Sequence, residues 1–211
     1  MRDTRCVFFD LDGTLTDSEP GLAQAYRYIF DKYGIDIGGR DLRLFFGPPI
    51  TQCLAPYFAT EAELMAVIED FRAYYRPLYI SDNSLYPGIV EMLYTLKARG
   101  YTLAVVTGKP EQSAADVVAH FGIRPYFDGV YGAAGLHTEK IETLNHALKL
   151  HNCRPEHAVM VGDRLYDLEA AMLAKTGGIG VLWGYGTREE LCAYDNIMLA
   201  ASPEDVTNYF S

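Results

Sequence analysis

Two aspartates at the end of an apolar run are the residues best suited to chemistry in this chain. The segment Val7-Phe8-Phe9-Asp10-Leu11-Asp12-Gly13-Thr14 leads an apolar stretch into two carboxylates, two residues apart, and then into a glycine turn. Two like charges so close repel each other unless a cation or a proton lies between them. The simplest explanation is a divalent metal ion, with one carboxylate left to attack or to move protons. The segment alone also fits an ordinary Asp-Gly hairpin turn.

Three further segments offer groups that suit a bound anion or metal ion. Thr107-Gly108 ends a β-branched run, and the hydroxyl and the following amides could hold an anion at a helix start. Asp163 and Asp167 would add carboxylate oxygens, which magnesium prefers. Lys140 offers a positive charge to a phosphoryl group. Together with the first two aspartates, these groups predict phosphoryl transfer, in which positioning and charge neutralisation do most of the work.

Each of these groups also has an ordinary explanation when it is taken alone. Thr107 could be a helix cap, and Lys140 could be a solvated surface lysine. Asp163 and Asp167 could be the N-cap and the first-turn acid of a helix. All of them occur together, however, in the order and at the positions that a site at a sheet edge requires. This joint occurrence favours the functional interpretation, in which an aspartate could serve as the nucleophile.

The elements that must position these residues alternate between strands and helices from residue 87 onward. Strands are predicted over residues 102–106, 127–131, 158–161 and 179–183. Helices are predicted over residues 89–99, 111–120, 139–150 and 167–175. The alternation indicates parallel β-α units, and we predict an α/β fold with a doubly wound, Rossmann-like parallel sheet. Ligands bind outside the carboxyl ends of the strands of such a sheet, where all the polar groups above would meet.

A tract of about seventy mainly helical residues separates the first strand from the other β-α units. Helices are predicted there over residues 20–33, 41–46, 50–58 and 61–75. The tract is much longer than the dozen or so residues that a simple crossover needs. We therefore predict an inserted helical cap of residues 16–86, and an α/β catalytic core of residues 1–15 and 87–211.

The composition restricts the possible partners. The 211 residues carry a formal net charge of −10, which argues against nucleic-acid binding because that requires a basic footprint. No apolar run reaches about 18 residues, so we expect no membrane span. Residues 1–5 lead directly into a short strand and do not resemble a signal peptide. The four cysteines form no C-x-x-C pair and are expected to be reduced. We therefore expect a cytoplasmic protein.

The chain resembles the haloacid dehalogenase superfamily in four motifs. These are Asp10-Leu11-Asp12-Gly13-Thr14-Leu15, Thr107-Gly108, Lys140 and Gly162-Asp163-Arg164-x-Tyr166-Asp167. The first motif is highly specific and the fourth is fairly specific, whereas the second and third mean little alone. The resemblance covers essentially the whole chain. The pattern is most similar to the phosphoglycolate-phosphatase-like and 5′-nucleotidase-like branch, which carries a helical cap after the first motif.

The resemblance implies a magnesium-dependent phosphomonoester hydrolase that acts on a small phosphorylated metabolite, such as phosphoglycolate or a nucleoside monophosphate. It implies that Asp10 is the nucleophile and a magnesium ligand. Asp12 would be the general acid and base, and its backbone carbonyl would also bind the metal. Asp163 would bind the metal, and Asp167 would support it through water. An acid at position 12 favours phosphate esters over carbon–halogen bonds, because a departing alkoxide needs a proton.

The resemblance also implies the substrate contacts. Thr107, Gly108 and Lys140 would hold the phosphoryl oxygens, and Lys140 would in addition restrain the nucleophile. The cap would select the leaving group. Arg72 is a candidate for binding a second anionic group of the substrate, although a solvated helix face is the more ordinary explanation of this arginine.

Two other functions remain open from the sequence. A sugar-phosphate mutase of the same superfamily would need the cap to exclude water until a second hydroxyl of the substrate takes the phosphoryl group. A non-catalytic ligand-binding protein on this fold is the other alternative, and the intact pair of acids argues against it because a binding module needs no general acid. The expected oligomeric state is a monomer or a homodimer.

Overall fold

The computed structural model describes residues 5–135, 138–194 and 197–211. In chain order its strands are β1 (Cys6–Phe9), β2 (Thr16–Asp17), β3 (Ser84–Leu85), β4 (Thr102–Pro110), β5 (Gly129–Ala133), β6 (Ala158–Gly162), β7 (Gly177–Val181) and β8 (Ile197–Ala200). Its α-helices are α1 (Glu19–Tyr33), α2 (Ile50–Leu54), α3 (Glu61–Ser81), α4 (Ile89–Ala98), α5 (Glu111–His120), α6 (Lys140–Leu150), α7 (Leu165–Ala174), α8 (Arg188–Leu191) and α9 (Pro203–Tyr209). The expectation about a signal peptide falls partly on the residues before Arg5, which lie outside the described ranges.

The main sheet is parallel and doubly wound, as predicted. Over the described residues it has six strands in the order β5-β4-β1-β6-β7-β8. Phe9 lies opposite Val105 of β4 and Val161 of β6, so β1 is flanked on both sides. The chain runs outward from β1 through β4 to β5 and then crosses to β6, β7 and β8. This reversal creates a topological switch point beside β1, which is where open α/β sheets bind ligands.

Both faces of the sheet are covered because alternate residues of β1 enter different apolar clusters. Val7 and Phe9 pack in the cluster that contains residues of α4, α5 and α9. Cys6 and Phe8 pack in the cluster that contains residues of α6 and α7. All four residues of β1 are buried. Such a strand reads as a continuous apolar run, because each face of a parallel sheet needs its own apolar side chains.

The helical tract between β2 and β3 has its own aromatic cluster. Helices α1 and α3 pack against each other, and Tyr26 meets Phe71 with ring centroids 4.8 Å apart. The two chain crossings to this tract lie side by side, since β2 pairs antiparallel with β3 through Thr16 opposite Leu85 and Asp17 opposite Ser84. The division into a cap of residues 16–86 and a core of residues 1–15 and 87–211 stays a proposal.

Several elements differ from the sequence expectations. Helix α3 continues to Ser81 instead of ending at Tyr75, although Pro77 lies inside it. Strand β4 continues past Val106 to Pro110, with an irregular register toward β5. The segment at residues 41–46 forms a short 3-10 helix over Leu42–Phe45 instead of an α-helix.

The end of the sheet also differs. β8 was not predicted, and β7 begins two residues earlier than expected because Gly177-Gly178 pairs with β6. Among the residues that the structure describes, no helix is long and apolar enough to cross a membrane.

Candidate active site

Asp10 lies directly after β1, in the middle of the carboxyl edge of the sheet. Its amide donates to the carbonyl oxygen of Val161 at 2.9 Å, so the strand pairing continues up to the aspartate. One carboxylate oxygen, Oδ1, accepts from the amide of Leu11 at 2.7 Å. The other, Oδ2, lies 2.7 Å from Nζ of Lys140. The side chain is therefore fixed in orientation by its own backbone and by one ammonium group.

Asp163 and Asp167 lie beside Asp10 and are completely buried. One oxygen from each of the three carboxylates falls within 4.8 Å of the others. Asp163 accepts from the Thr14 hydroxyl at 2.9 Å and from the Tyr185 amide at 2.8 Å. Asp167 accepts from Lys140 at 2.6 Å. The sheet edge and the start of α7 thus bring together three acids that are distant in sequence.

The electrostatics of this cluster favour a divalent cation. Burial, followed by repulsion from Asp167 and Asp10, raises the pKa of Asp163. Burial also raises the pKa of Asp167, and the charge of Lys140 opposes that shift. Within the described parts of the chain, no lysine or arginine forms an ion pair with Asp163. Buried carboxylates that repel one another are the hard oxygen ligands that magnesium prefers, so the cluster fits this ion.

Asp12 faces a different partner. Its two carboxylate oxygens accept from Nζ of Lys109 at 3.2 and 2.9 Å. Its side chain does not belong to the three-acid cluster. Asp10 and Asp12 are thus two residues apart in sequence, yet each is paired with a different lysine. Two acids in separate environments can perform separate chemical roles.

The substrate-binding candidates line one cavity between the helical tract and the sheet edge. The cavity has a volume of about 560 Å³, and its walls include Asp10, Asp12, Thr107, Gly108, Lys109, Lys140 and Arg72. Of these cavity residues, Thr107 is buried and Gly108 is exposed. Arg72 is exposed on α3 and reaches the cavity from the opposite wall. The structure therefore brings the sequence candidates together, with Asp163 and Asp167 buried beneath the cavity.

Known proteins are similar to this chain over nearly its whole length. The model of the haloacid dehalogenase-like hydrolase family matches residues 7–181. The chain belongs to this family. A 5′-nucleotidase of Pseudomonas aeruginosa is 35% identical over 192 residues, covering 89% of this chain and 87% of that protein. A phosphoglycolate phosphatase of Vibrio vulnificus is 31% identical over 214 residues, covering 96% and 94%.

The solved structure of a haloacid dehalogenase-like hydrolase from Streptococcus pneumoniae superimposes with a TM-score of 0.91 at 30% identity, and the match covers 100% of both chains. The resemblance that the four motifs indicated is therefore confirmed, and so is the prediction of an α/β fold of this family. The relatives also confirm an enzyme of the phosphatase class. In this haloacid dehalogenase-like fold, the three-acid cluster and Lys140 lie at the carboxyl edge of the sheet.

Lys109 is a residue of this haloacid dehalogenase-like site that is not among the candidates from the sequence. The sequence pattern predicts a strand that ends at Val106, with only Thr107-Gly108 as site residues beyond it. The strand continues, and Lys109 lies on the same side as Thr107, since residues i and i+2 of a strand share a face. The signal was a lysine two residues after a site threonine in an otherwise apolar strand. Tyr185 was also overlooked, because it contributes only a backbone amide to Asp163.

Proposed function

We propose that this hydrolase is a magnesium-dependent phosphomonoesterase that acts on a small phosphorylated metabolite through an aspartyl-phosphate at Asp10. The observation that carries the proposal is the separate pairing of the two first-motif acids. Asp10 is bound by Lys140 beside two buried acids, whereas Asp12 is bound by Lys109 and faces the cavity. A nucleophile and an acid-base group are needed in one site, and these two environments support that division.

In the first half-reaction, Asp10 is the nucleophile. A carboxylate oxygen of Asp10 bonds to phosphorus, and the bond from phosphorus to the alcohol oxygen breaks with its electron pair on that oxygen. Asp12 gives its proton to the departing alcohol. Lys140 keeps Asp10 in line, because its ammonium holds Oδ2 at 2.7 Å and is itself anchored on Asp167 at 2.6 Å.

In the second half-reaction, Asp12 acts as the base. It takes a proton from a water molecule, whose oxygen bonds to phosphorus while the bond to Asp10 breaks. Free phosphate and the original carboxylate result. Asp12 thus gives a proton in the first step and regains one in the second, so the enzyme returns to its starting protonation state.

The proposed cofactor is Mg²⁺. Asp10 and Asp163 would hold it directly, with the backbone carbonyl of Asp12 as a further ligand and Asp167 in support. When bound, the ion would neutralise the negative charges of the phosphate and of the nucleophile. The proposal is supported by the hard oxygen ligands and by the raised pKa of Asp163, which burial and neighbouring acids cause.

The proposed substrate is of the phosphoglycolate or nucleoside monophosphate type. Thr107, Gly108 and Lys140 would bind the phosphoryl oxygens, and Arg72 would attract a second anionic group. A cavity of about 560 Å³ supports a small metabolite, and the names of the two curated relatives point to the same two classes. We further propose a cytoplasmic enzyme that works as a monomer or a homodimer, without a nucleic-acid or membrane partner.

Phosphate release tests this function. The purified protein is incubated with Mg²⁺ and a panel of nucleoside monophosphates, sugar phosphates and phosphoglycolate, and free phosphate is measured. We expect release from at least one ester and none after chelation of the metal. A phosphoryl group retained on a sugar would indicate a mutase instead, and an inactive but ligand-binding protein would contradict catalysis.

The Asp10→Asn variant tests the nucleophile. We expect turnover to disappear while the circular dichroism spectrum stays unchanged, because the amide keeps the shape of the side chain but cannot attack phosphorus. Asp31→Asn is the matched control, since Asp31 is exposed on α1 outside the site. Turnover of Asp10→Asn at the rate of the control would remove the covalent mechanism.

A further inference from the structure

Lys109 is a buried cation that contacts Asp12, Tyr75 and Tyr79. Its side chain is only 5% exposed. It lies at the end of β4, between the sheet edge and helix α3. Burying an ammonium group costs free energy unless the group is paired and hydrogen-bonded. The contacts of Lys109 therefore indicate its role.

All three hydrogen-bond donors of this ammonium have an acceptor. Two contacts go to Oδ1 and Oδ2 of Asp12, at 3.2 and 2.9 Å. The third goes to the hydroxyl of Tyr75 at 3.3 Å. An ammonium has three donors and no more. No donor is therefore left for a phosphoryl oxygen of the substrate, which distinguishes Lys109 from Lys140.

The aromatic rings of α3 complete the surroundings. Nζ of Lys109 lies 4.9 Å from the ring centre of Tyr75 and 5.5 Å from that of Tyr79. Such cation–π contacts attract the ammonium and keep water from it. Tyr79 is in turn fixed to the core, because its hydroxyl donates to Asp116 of α5 at 2.9 Å. The lysine is thus clamped between the helical tract and Asp12.

From these contacts we propose that Lys109, held by Tyr75, is a positioning residue that orients Asp12 as the base in the hydrolysis of the phosphoenzyme. Asp12 keeps 20% of its side chain exposed, so a water molecule can reach it while the ammonium fixes both oxygens. A carboxylate that accepts from an ammonium still has free lone pairs for a proton from water.

The step concerned is the second half-reaction. The water oxygen bonds to phosphorus, the water proton goes to the Asp12 carboxylate, and the phosphorus bond to Asp10 breaks with its electron pair returning to Asp10. An Asp12 side chain that rotates freely would meet the water less often, because proton transfer requires hydrogen-bond reach. The inference rests on the proposed function, since it assigns a role within that reaction.

Pre-steady-state kinetics of Lys109→Met test this role. With Mg²⁺ and p-nitrophenyl phosphate, release of the first product and the steady-state rate are followed in the same reaction. We expect kcat to fall on the order of 10²-fold, the lower end of what a positioned base contributes, and the burst of p-nitrophenol to become prominent. The value of kcat/KM should fall much less, because it reports the steps up to the first product.

Three comparisons make this test specific. Tyr75→Phe removes one hydrogen-bond acceptor of Lys109 but keeps the ring. We expect the same changes as in Lys109→Met, with a decrease in kcat of only a few-fold. Tyr74→Phe is its matched control, because Tyr74 lies next in the helix but stacks on Tyr28. Lys97→Met controls for the loss of a lysine, since Lys97 pairs with Asp128 far from the acids of the site. Thermal unfolding and Mg²⁺ titration of each variant report the fold and the metal site separately from the ion pair between Lys109 and the Asp12 side chain.

The outcomes separate the inference from the function. An unchanged kcat, or equal losses in kcat and kcat/KM without a burst, would overturn the role of Lys109 while leaving the phosphatase in place. A rise in KM alone would assign the lysine to substrate binding and overturn the role as well. Failure of the unsubstituted protein to release phosphate from any ester would overturn the proposed function itself.

Discussion

Gly13 offers the sharpest test of how the first motif supports the acid cluster. Its φ angle is +84°, and a Cβ at this position would lie 2.3 Å from Oδ2 of Asp163. In Gly13→Ala, the left-handed backbone costs about 1–2 kcal/mol, as it does for any residue with a side chain. The clash adds a second cost, because the Asp163 carboxyl group must move away.

The size of that second cost follows from the partners of Asp163. Moving the carboxyl group breaks its hydrogen bonds from Thr14 and Tyr185, at 2.9 and 2.8 Å. Each bond contributes about 0.5–1.5 kcal/mol, so together they contribute about 1–3 kcal/mol. Gly100→Ala is the matched control, since Gly100 has φ of +87° but a Cβ there would have nothing within 4 Å. We therefore expect Gly13→Ala to be less stable than Gly100→Ala by that amount.

Urea unfolding with and without Mg²⁺ measures both effects. At a magnesium concentration a hundred times the dissociation constant, binding to the folded state adds about 2.7 kcal/mol. We expect this gain in the unsubstituted protein and in Gly100→Ala, and little or none in Gly13→Ala, because Asp163 is displaced. Equal stabilities of the two alanine variants, together with equal gains from magnesium, would refute the reasoning.

Two other predictions concern charge. Because burial and repulsion from the neighbouring acids raise the pKa of Asp163, the metal-free protein should lose stability as the pH rises through that raised pKa, and the increase in Tm on adding Mg²⁺ should grow over the same range. A constant increase in Tm across this range would contradict the assignment of Asp163 to the metal. Arg72→Met should raise KM for phosphoglycolate a few-fold and leave kcat unchanged, since an exposed charge contributes about 0.2–1 kcal/mol. Arg40→Met is its exposed control, and equal KM values for the two variants would remove Arg72 from the site.

Much of the core could be predicted because its signals are local. The strand before Asp10 is continuously apolar, as a strand buried on both faces must be. Strand β4 carries Thr107 near its end and Asp163 follows β6, and parallel topology then places these ends at one edge. The burial of Asp163 and its proximity to Asp10 follow from that topology, although the two are more than 150 residues apart in sequence.

Other features depend on tertiary contacts that leave little local signal. Helix α3 continues through Pro77, because its last turns pack against the core and Tyr79 binds Asp116. The role of Lys109 becomes visible only when α3 is placed above β4, since two of its neighbours come from that helix. Over the described residues, the last strand, β8, lies at the edge of the sheet and pairs with β7. Its short apolar segment could equally have been a helix end.

The small two-stranded ribbon of β2 and β3 affects which insertions this fold can accept. Because Thr16 and Leu85 are directly opposite each other in this antiparallel pair, the residues between them leave and rejoin the α/β part of the chain at a single point. Replacing the helical tract between β2 and β3 by one of different length would leave the distance between these two strands unchanged, since only the residues beyond the strands differ. The sheet edge could thus keep one set of reactive groups while successive insertions present them to different molecules.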